Sequence, residues 1–274
     1  MGTPEVTMRA TVLIVAAGAG TRLQAGMPKA LVTLGDGRTM LEHCLDSVAA
    51  AALQTAGPGA PQVTGIAVVV PSEPDAASAL KDVCHAFALR TGLTVQAVPG
   101  GSERADSVRA GLAAVRELAG ETADRHAVLV QDAARPFVPP AVFRTVWAAL
   151  ESGAAAVVPG LPVVDTIKSV ELVPSTGTAV PERVTGTPSR SELRAVQTPQ
   201  GFDLDALEAA HRDAAATVGD HATLLTDDAM AMEAAGHEVV VVPGDPLGFK
   251  ITTRLDLLLA DSLVKSNRPE ESSR

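Results

Sequence analysis

The sequence predicts an α/β fold, a mostly parallel central sheet with helices on both faces. Three observations carry that prediction. Short apolar, β-branched runs alternate with stretches of helical length, as repeated βαβ units require. The first apolar run opens directly into a glycine-rich loop, VLIVAAGAGTRLQAGMPKAL over residues 12–31, and in such sheets ligands bind beyond the carboxyl ends of the strands. Hydrophobic residues make up 46% of the 274 positions, enough for a sizeable core.

Each element has a local signal. TVLIVAA (11–17) reads as a buried strand ended by Gly18. Thr39-Met-Leu-Glu42 is a capping-box pattern, so a helix runs from there to about Thr55. GPGAPQ (57–62) breaks the chain, and GIAVVV (65–70) is a second strand closed by Pro71. A helix to about Arg90 leads to a third strand, LTVQAV (93–98). GGSERADSVRAGL (100–112) starts a helix that ends near Gly120, before a fourth strand, HAVLVQDA (126–133). PPAVFRTVWAALESG is a helix with Pro140 in its first turn, and AAAVVP is a fifth strand.

The alternation breaks after residue 163. VVDTIKSVELV reads as a strand, and the polar STGTAVPERVTGTPSRSEL that follows is too long for an ordinary connection. It is either a surface loop or a hairpin arm that packs on something such as a second subunit. A helix over about 203–216, the segment TDDAMAMEAAG, a strand HEVVVV and a helix near 254–265 complete a single domain over 10–265. Residues 1–9 and 266–274 read as flexible tails.

Composition narrows the function. Aromatic residues are only 2% and the net charge is −10, which argues against a nucleic-acid partner. A local group of Arg and Lys still suits a small anion. Cys44 and Cys84, the only cysteines, sit in apolar helical runs and read as buried hydrophobes. There is no disulfide framework, no paired metal spacing and no Ser-His-Asp arrangement. The first nine residues lack a signal-peptide block, and no apolar run reaches the ~18 residues of a membrane span. A soluble cytoplasmic protein is the expectation.

The polar loops carry the chemistry. Gly18 and Gly20 let a ligand approach backbone amides. A dinucleotide fingerprint needs a third glycine where this chain has Leu23, and no Gly-Lys-Ser/Thr makes a P-loop. Arg22 and Lys29 instead suit a triphosphate, since two cations neutralise charge that grows on phosphate oxygens. In VLVQDAARPF, Asp132 follows an apolar strand directly and is a natural Mg²⁺ ligand beside phosphates. Arg135 is placed to meet a second anion. Ser102, Ser107 and Arg104 in GGSERADSVRAGL offer base or ribose contacts. Asp165, Thr166, Arg190, Thr198, Thr226 and Lys250 each stand beside an apolar element, and none signals alone.

In order, AAGAGTRL…PKA, GGSERADSVRAGL, QDAARP, DTIK, RAVQTPQGF, LTDDA and GFKIT span about residues 11–260. Together they resemble the 2-C-methyl-D-erythritol 4-phosphate cytidylyltransferases of the non-mevalonate isoprenoid pathway. The first motif is common to nucleotidyltransferases, whereas QDAARP with QTPQ and TDDA is narrow. The resemblance implies a Rossmann-like nucleotidyltransferase fold with a protruding β-hairpin arm over about 168–193. It implies that CMP passes from CTP to the acceptor by in-line attack on the α-phosphate, with pyrophosphate leaving. Arg22 and Lys29 match the catalytic cations. Ala16, Ala17, Gly18, Gly101, Ser102, Ser107 and Ala133 match the nucleotide side, and Asp132 matches the Mg²⁺ ligand. Arg135, Thr166, Thr198, Thr226 and Lys250 match the acceptor side. Arg190 matches an arginine that the arm delivers to a neighbouring subunit, which implies a homodimer.

The chain departs from the family pattern at four positions. Gln131 stands where His is frequent, Ser102 where an acid is frequent, Ala30 where Gln is common, and Gly248 where Asn is common. The nearest alternative acceptor is ribitol 5-phosphate on the same scaffold. A sugar-1-phosphate nucleotidyltransferase leaves QDAARP and QTPQ unexplained. A non-catalytic nucleotide-binding module leaves Arg22, Lys29 and Asp132 idle.

Overall fold

The structure, a computed structural model, describes residues 8–18, 26–53, 62–101, 104–120, 125–173, 182–216 and 227–266. Its first half alternates strictly: β1 (Arg9–Val15), α1 (Met40–Leu53), β2 (Gln62–Val70), α2 (Pro74–Thr91), β3 (Val95–Pro99), α3 (Arg104–Ala119), β4 (His126–Asp132), α4 (Pro140–Glu151) and β5 (Ala156–Pro162). The second half holds a two-stranded ladder, β6 (Ser169–Leu172) and β7 (Glu182–Gly186), then β8 (Arg194–Val196), β9 (Gln200–Asp203), α5 (Leu204–Ala216), α6 (Asp228–Ala234), β10 (Val239–Pro243) and α7 (Arg254–Ser266).

Local chemistry explains the boundaries. The capping box forms: the Thr39 amide donates to Glu42 Oε2 at 2.7 Å, and the Glu42 amide donates to Thr39 Oγ1 at 3.2 Å. α2 and α4 each begin on a proline, whose missing N–H costs nothing in a first turn. α2 ends at Gly92, which takes a left-handed φ of 72° and donates its amide to Ala88 O.

The main sheet has the order β10-β5-β9-β4-β1-β2-β3. β1 is parallel to β2 and β4, β2 to β3, and β5 to β10, while β9 runs antiparallel between β4 and β5. The chain moves outward from β1 through β2 to β3, then crosses to β4 on the other side of β1. That reversal leaves a crevice at the carboxyl ends of β1 and β4.

Strand alternation divides the core. Val12 and Ile14 of β1 face α1, α2 and α4, whose Leu41, Leu80, Phe143 and Trp147 complete one layer. Leu13 faces the other way, into a layer with Val108 and Leu112 of α3 and Leu207 of α5. α3 lies very close to the sheet at Gly111, where an added Cβ would stand 2.4 Å from Leu13 Cδ1 and 2.8 Å from Val69 Cγ2. A third cluster, Val32, Leu34, Met40, Ile251 and Ala260, seats α7 on the segment between β1 and α1. No helix among the described residues is long and apolar enough to cross a membrane.

Three readings need correction. Met8 is buried and Arg9 opens β1, so the tail expected over 1–9 does not extend that far. The strand expected over 163–173 is confined to 169–172, because 163–168 has no ladder partner among the described residues. RAVQTPQGF holds two short strands, β8 and β9, that alternation did not reveal. The two cysteines are buried and free, as expected.

Candidate active site

Four loops meet at the carboxyl ends of β1 and β4. After Val15, Ala16 is buried, Ala17 half-buried and Gly18 exposed. The Ala133 amide donates to Val15 O at 3.2 Å, which clamps the start of the β4 loop against the end of β1. Gly100 packs against Ala17 and Ser107. The Ser107 hydroxyl is buried and accepts the Gly101 amide at 3.2 Å, holding the glycine turn at the start of α3.

Lys29 opens a short 3-10 turn anchored by buried Ala30. Its amide donates to Gly18 O, and its Nζ donates to Ile251 O at 3.1 Å. Asp132 ends β4. Its Oδ2 lies 2.7 Å from Lys250 Nζ and 3.7 Å from Arg135 Nε. Arg135 also donates from Nη1 to Gly248 O at 2.6 Å and from Nη2 to Val196 O at 3.2 Å. Burial lowers the Arg135 pKa, and the Asp132 carboxylate opposes that shift. Arg135 Nε is buried with no hydrogen-bond acceptor among the described residues. So a chain with net charge −10 gathers Lys29, Arg135 and Lys250 at one crevice, the local inversion that an anionic ligand needs.

Gln197, within the QTPQ motif, ties two loops together. Its Nε2 donates to Asp245 O at 2.9 Å, and its Oε1 accepts the Asp245 amide at 3.0 Å. A Cβ at Gly248 would stand 3.0 Å from Gln197 Oε1, so a larger residue there would press on this clasp. The other missed pair is His211 with Asp228, buried at 3.0 Å between α5 and α6. The visible signal was the second Asp of LTDDA.

The predicted residues divide three ways. Asp132, Arg135, Thr198 and Lys250 form one bonded group, and Lys29 bonds to the carbonyl of Ile251, the residue after Lys250; Ala16, Ala17, Gly18, Gly101 and Ala133 lie on the adjoining loops, and Ser107 in the first turn of α3. Thr166 and Arg190 are exposed at the base of the β6–β7 ladder, where Arg190 Nη1 donates to Val164 O at 2.8 Å. Arg22, Ser102 and Thr226 lie outside the described residues.

The donor set can be tested against Mg²⁺. Among the described residues no group of three His, Cys, Asp or Glu could hold a metal ion. Asp132 offers a carboxylate at the crevice, beside Lys250 and Arg135. One hard oxygen donor with cations nearby fits an ion carried mainly by phosphate oxygens, the usual manner of Mg²⁺.

A family model described as 2-C-methyl-D-erythritol 4-phosphate cytidylyltransferase matches residues 10–266. The chain belongs to this family. It is 44% identical to the protein of that name from Streptomyces coelicolor over 260 residues, 95% of this chain and 86% of the relative. It is 45% identical to the Nocardia farcinica protein over 253 residues, 92% of each chain. Among solved structures, the Thermus thermophilus 2-C-methyl-D-erythritol 4-phosphate cytidylyltransferase superposes with a TM-score of 0.63 at 30% identity, covering 92% of this chain and 98% of that one. The 4-diphosphocytidyl-2C-methyl-D-erythritol synthase of Anaerococcus prevotii gives a TM-score of 0.69 at 25% identity, with 94% and 98% covered.

Proposed function

We infer that this chain transfers CMP from CTP to 2-C-methyl-D-erythritol 4-phosphate, with release of pyrophosphate. One observation carries the reading: Lys29, Asp132, Arg135 and Lys250 converge at the carboxyl ends of β1 and β4, in a chain that the family model matches from residue 10 to 266.

The chemistry follows from charge. A phosphate oxygen of the acceptor attacks the α-phosphorus of CTP in line. The bond from that phosphorus to the bridging oxygen breaks, and pyrophosphate departs with the electron pair. A phosphate monoester has its second pKa near ~6, so the nucleophile is already ionised and needs no strong base. Catalysis is positioning and charge neutralisation. Lys29 now donates to a neutral carbonyl; exchanging it for a phosphate oxygen gives a stronger, charge-assisted bond. Arg22 is the second cation of this step. Ala16, Ala17, Gly18, Gly101, Ser102, Ser107 and Ala133 line the nucleotide. Arg135, Thr166, Thr198, Thr226 and Lys250 serve the acceptor. Asp132 would hold Mg²⁺, which supplies further neutralisation of the phosphates.

The reading includes a homodimer in which Arg190 acts on the neighbouring site. The exposed ladder supports it: Val170, Leu172 and Val184 lie open to solvent there, with Val164 and Ile167 at its base.

Pyrophosphate release tests the whole. CTP and three other triphosphates are paired with methylerythritol phosphate and with ribitol 5-phosphate. Turnover confined to CTP with methylerythritol phosphate is expected. Faster turnover of ribitol 5-phosphate would overturn the acceptor, and no release with any pair would overturn the enzyme.

A further inference from the structure

Gln131 has no solvent exposure, yet it stands one residue before Asp132. A buried amide must place one acceptor and two donor hydrogens within the protein. This one does. Oε1 accepts the Thr198 hydroxyl at 3.0 Å, and Nε2 donates to Asp132 O at 3.2 Å and to Arg135 O at 3.0 Å. The Thr198 hydroxyl accepts in turn from the Asp132 amide at 3.0 Å.

The location gives this ring its meaning. The β4–β9 ladder ends at Val130 opposite Gln200. Beyond that point Gln131 and Thr198 replace backbone pairing with side-chain bonds. They bind both ends of the 132–135 turn, which carries the Asp132 carboxylate and the Arg135 guanidinium.

We propose that Gln131 is a positioning residue for the transferase reaction: its amide, acting with Thr198, sets the orientation of Asp132 and Arg135. The proposal rests on the reading of Asp132 as a site residue.

Gln131→Glu tests this with little change of shape, since a Glu side chain offers at most one donor where the amide gives two, to Asp132 O and Arg135 O. The expected kcat/KM for the acceptor is down about 10- to 100-fold, the scale of a slightly misplaced catalytic group. The loss should appear in kcat and acceptor KM more than in CTP KM. A variant that only melts earlier at unchanged kcat/KM would overturn the proposal. Should Gln131→Glu not fold, Gln131→Met decides, because it keeps the length and removes every hydrogen bond of the amide. The same split loss supports the proposal, and unchanged kcat and KM values sink it. Asp132→Asn is run alongside. Wild-type activity in that variant would overturn the underlying reading of the site, whatever Gln131 does.

Discussion

His126 makes the fold sensitive to acid by an amount the structure sets. It opens β4 at the end of the sheet away from the crevice and is 9% exposed. Its Nε2 lies 2.9 Å from Thr11 Oγ1, which pairs with Thr64 Oγ1 at 2.7 Å. Its Nδ1 is buried with no partner among the described residues. Burial, then Arg9 and Arg116, pulls its pKa from 6.5 down to about 4, against a smaller upward pull from Asp205. Between those values the unfolded chain binds a proton that the folded chain refuses, so stability must fall as pH drops. The loss begins near the unfolded value and is complete below the folded one. About 2.5 pH units at about 1.4 kcal/mol each gives about 3.5 kcal/mol at most, of which about 3 is reached by pH 4. Urea unfolding at about pH 7.5, 6, 5 and 4 measures it, with His126→Gln as the reference that cannot ionise. The stability gap should move in favour of the variant by up to about 3 kcal/mol at the acid end. A gap constant to within about 0.5 kcal/mol across the series would refute the reasoning.

Other expectations concern the site and the packing. Lys29→Ala should lower kcat strongly while CTP binding falls less, measured by steady-state kinetics against nucleotide titration; wild-type kcat would remove Lys29 from the transition state. Arg190→Ala should raise KM for the acceptor and not for CTP, and mixing it with Lys29→Ala should restore activity in some sites. No recovery after verified subunit exchange would count against a shared site. Thr198→Val keeps the shape but strands the Asp132 amide and Gln131 Oε1, and each buried unsatisfied group costs about 1–3 kcal/mol; an unchanged urea midpoint would contradict the bracing role. Gly111→Ala should destabilise by about 1–3 kcal/mol through overpacking on Leu13 and Val69, despite the better helix propensity of alanine. A raised melting midpoint would show that α3 can shift away.

Much of the fold was legible because its signals are local. β2 extends through GIAVVV, α1 starts at the predicted capping box, and α4 begins on Pro140. β9 was not legible. It is four residues long, contains Gly201, and runs against its neighbours, so neither length nor alternation marks it. The polar site residues could be named in motifs, but their partners could not.

Local signals in the chain marked most of the strands and helices, where several of them start, and which charged residues follow strand ends. Periodicity and caps act over a few neighbouring positions, so the chain states them directly. Folding in three dimensions decided that Lys29 meets Ile251, 222 positions later, and that Lys250 lies on Asp132. It also decided that Gln131 and Thr198 take over where the β4–β9 ladder stops. Those meetings depend on strand order, on register, and on α7 packing back over the segment after β1. None of these is a property of any short stretch of sequence.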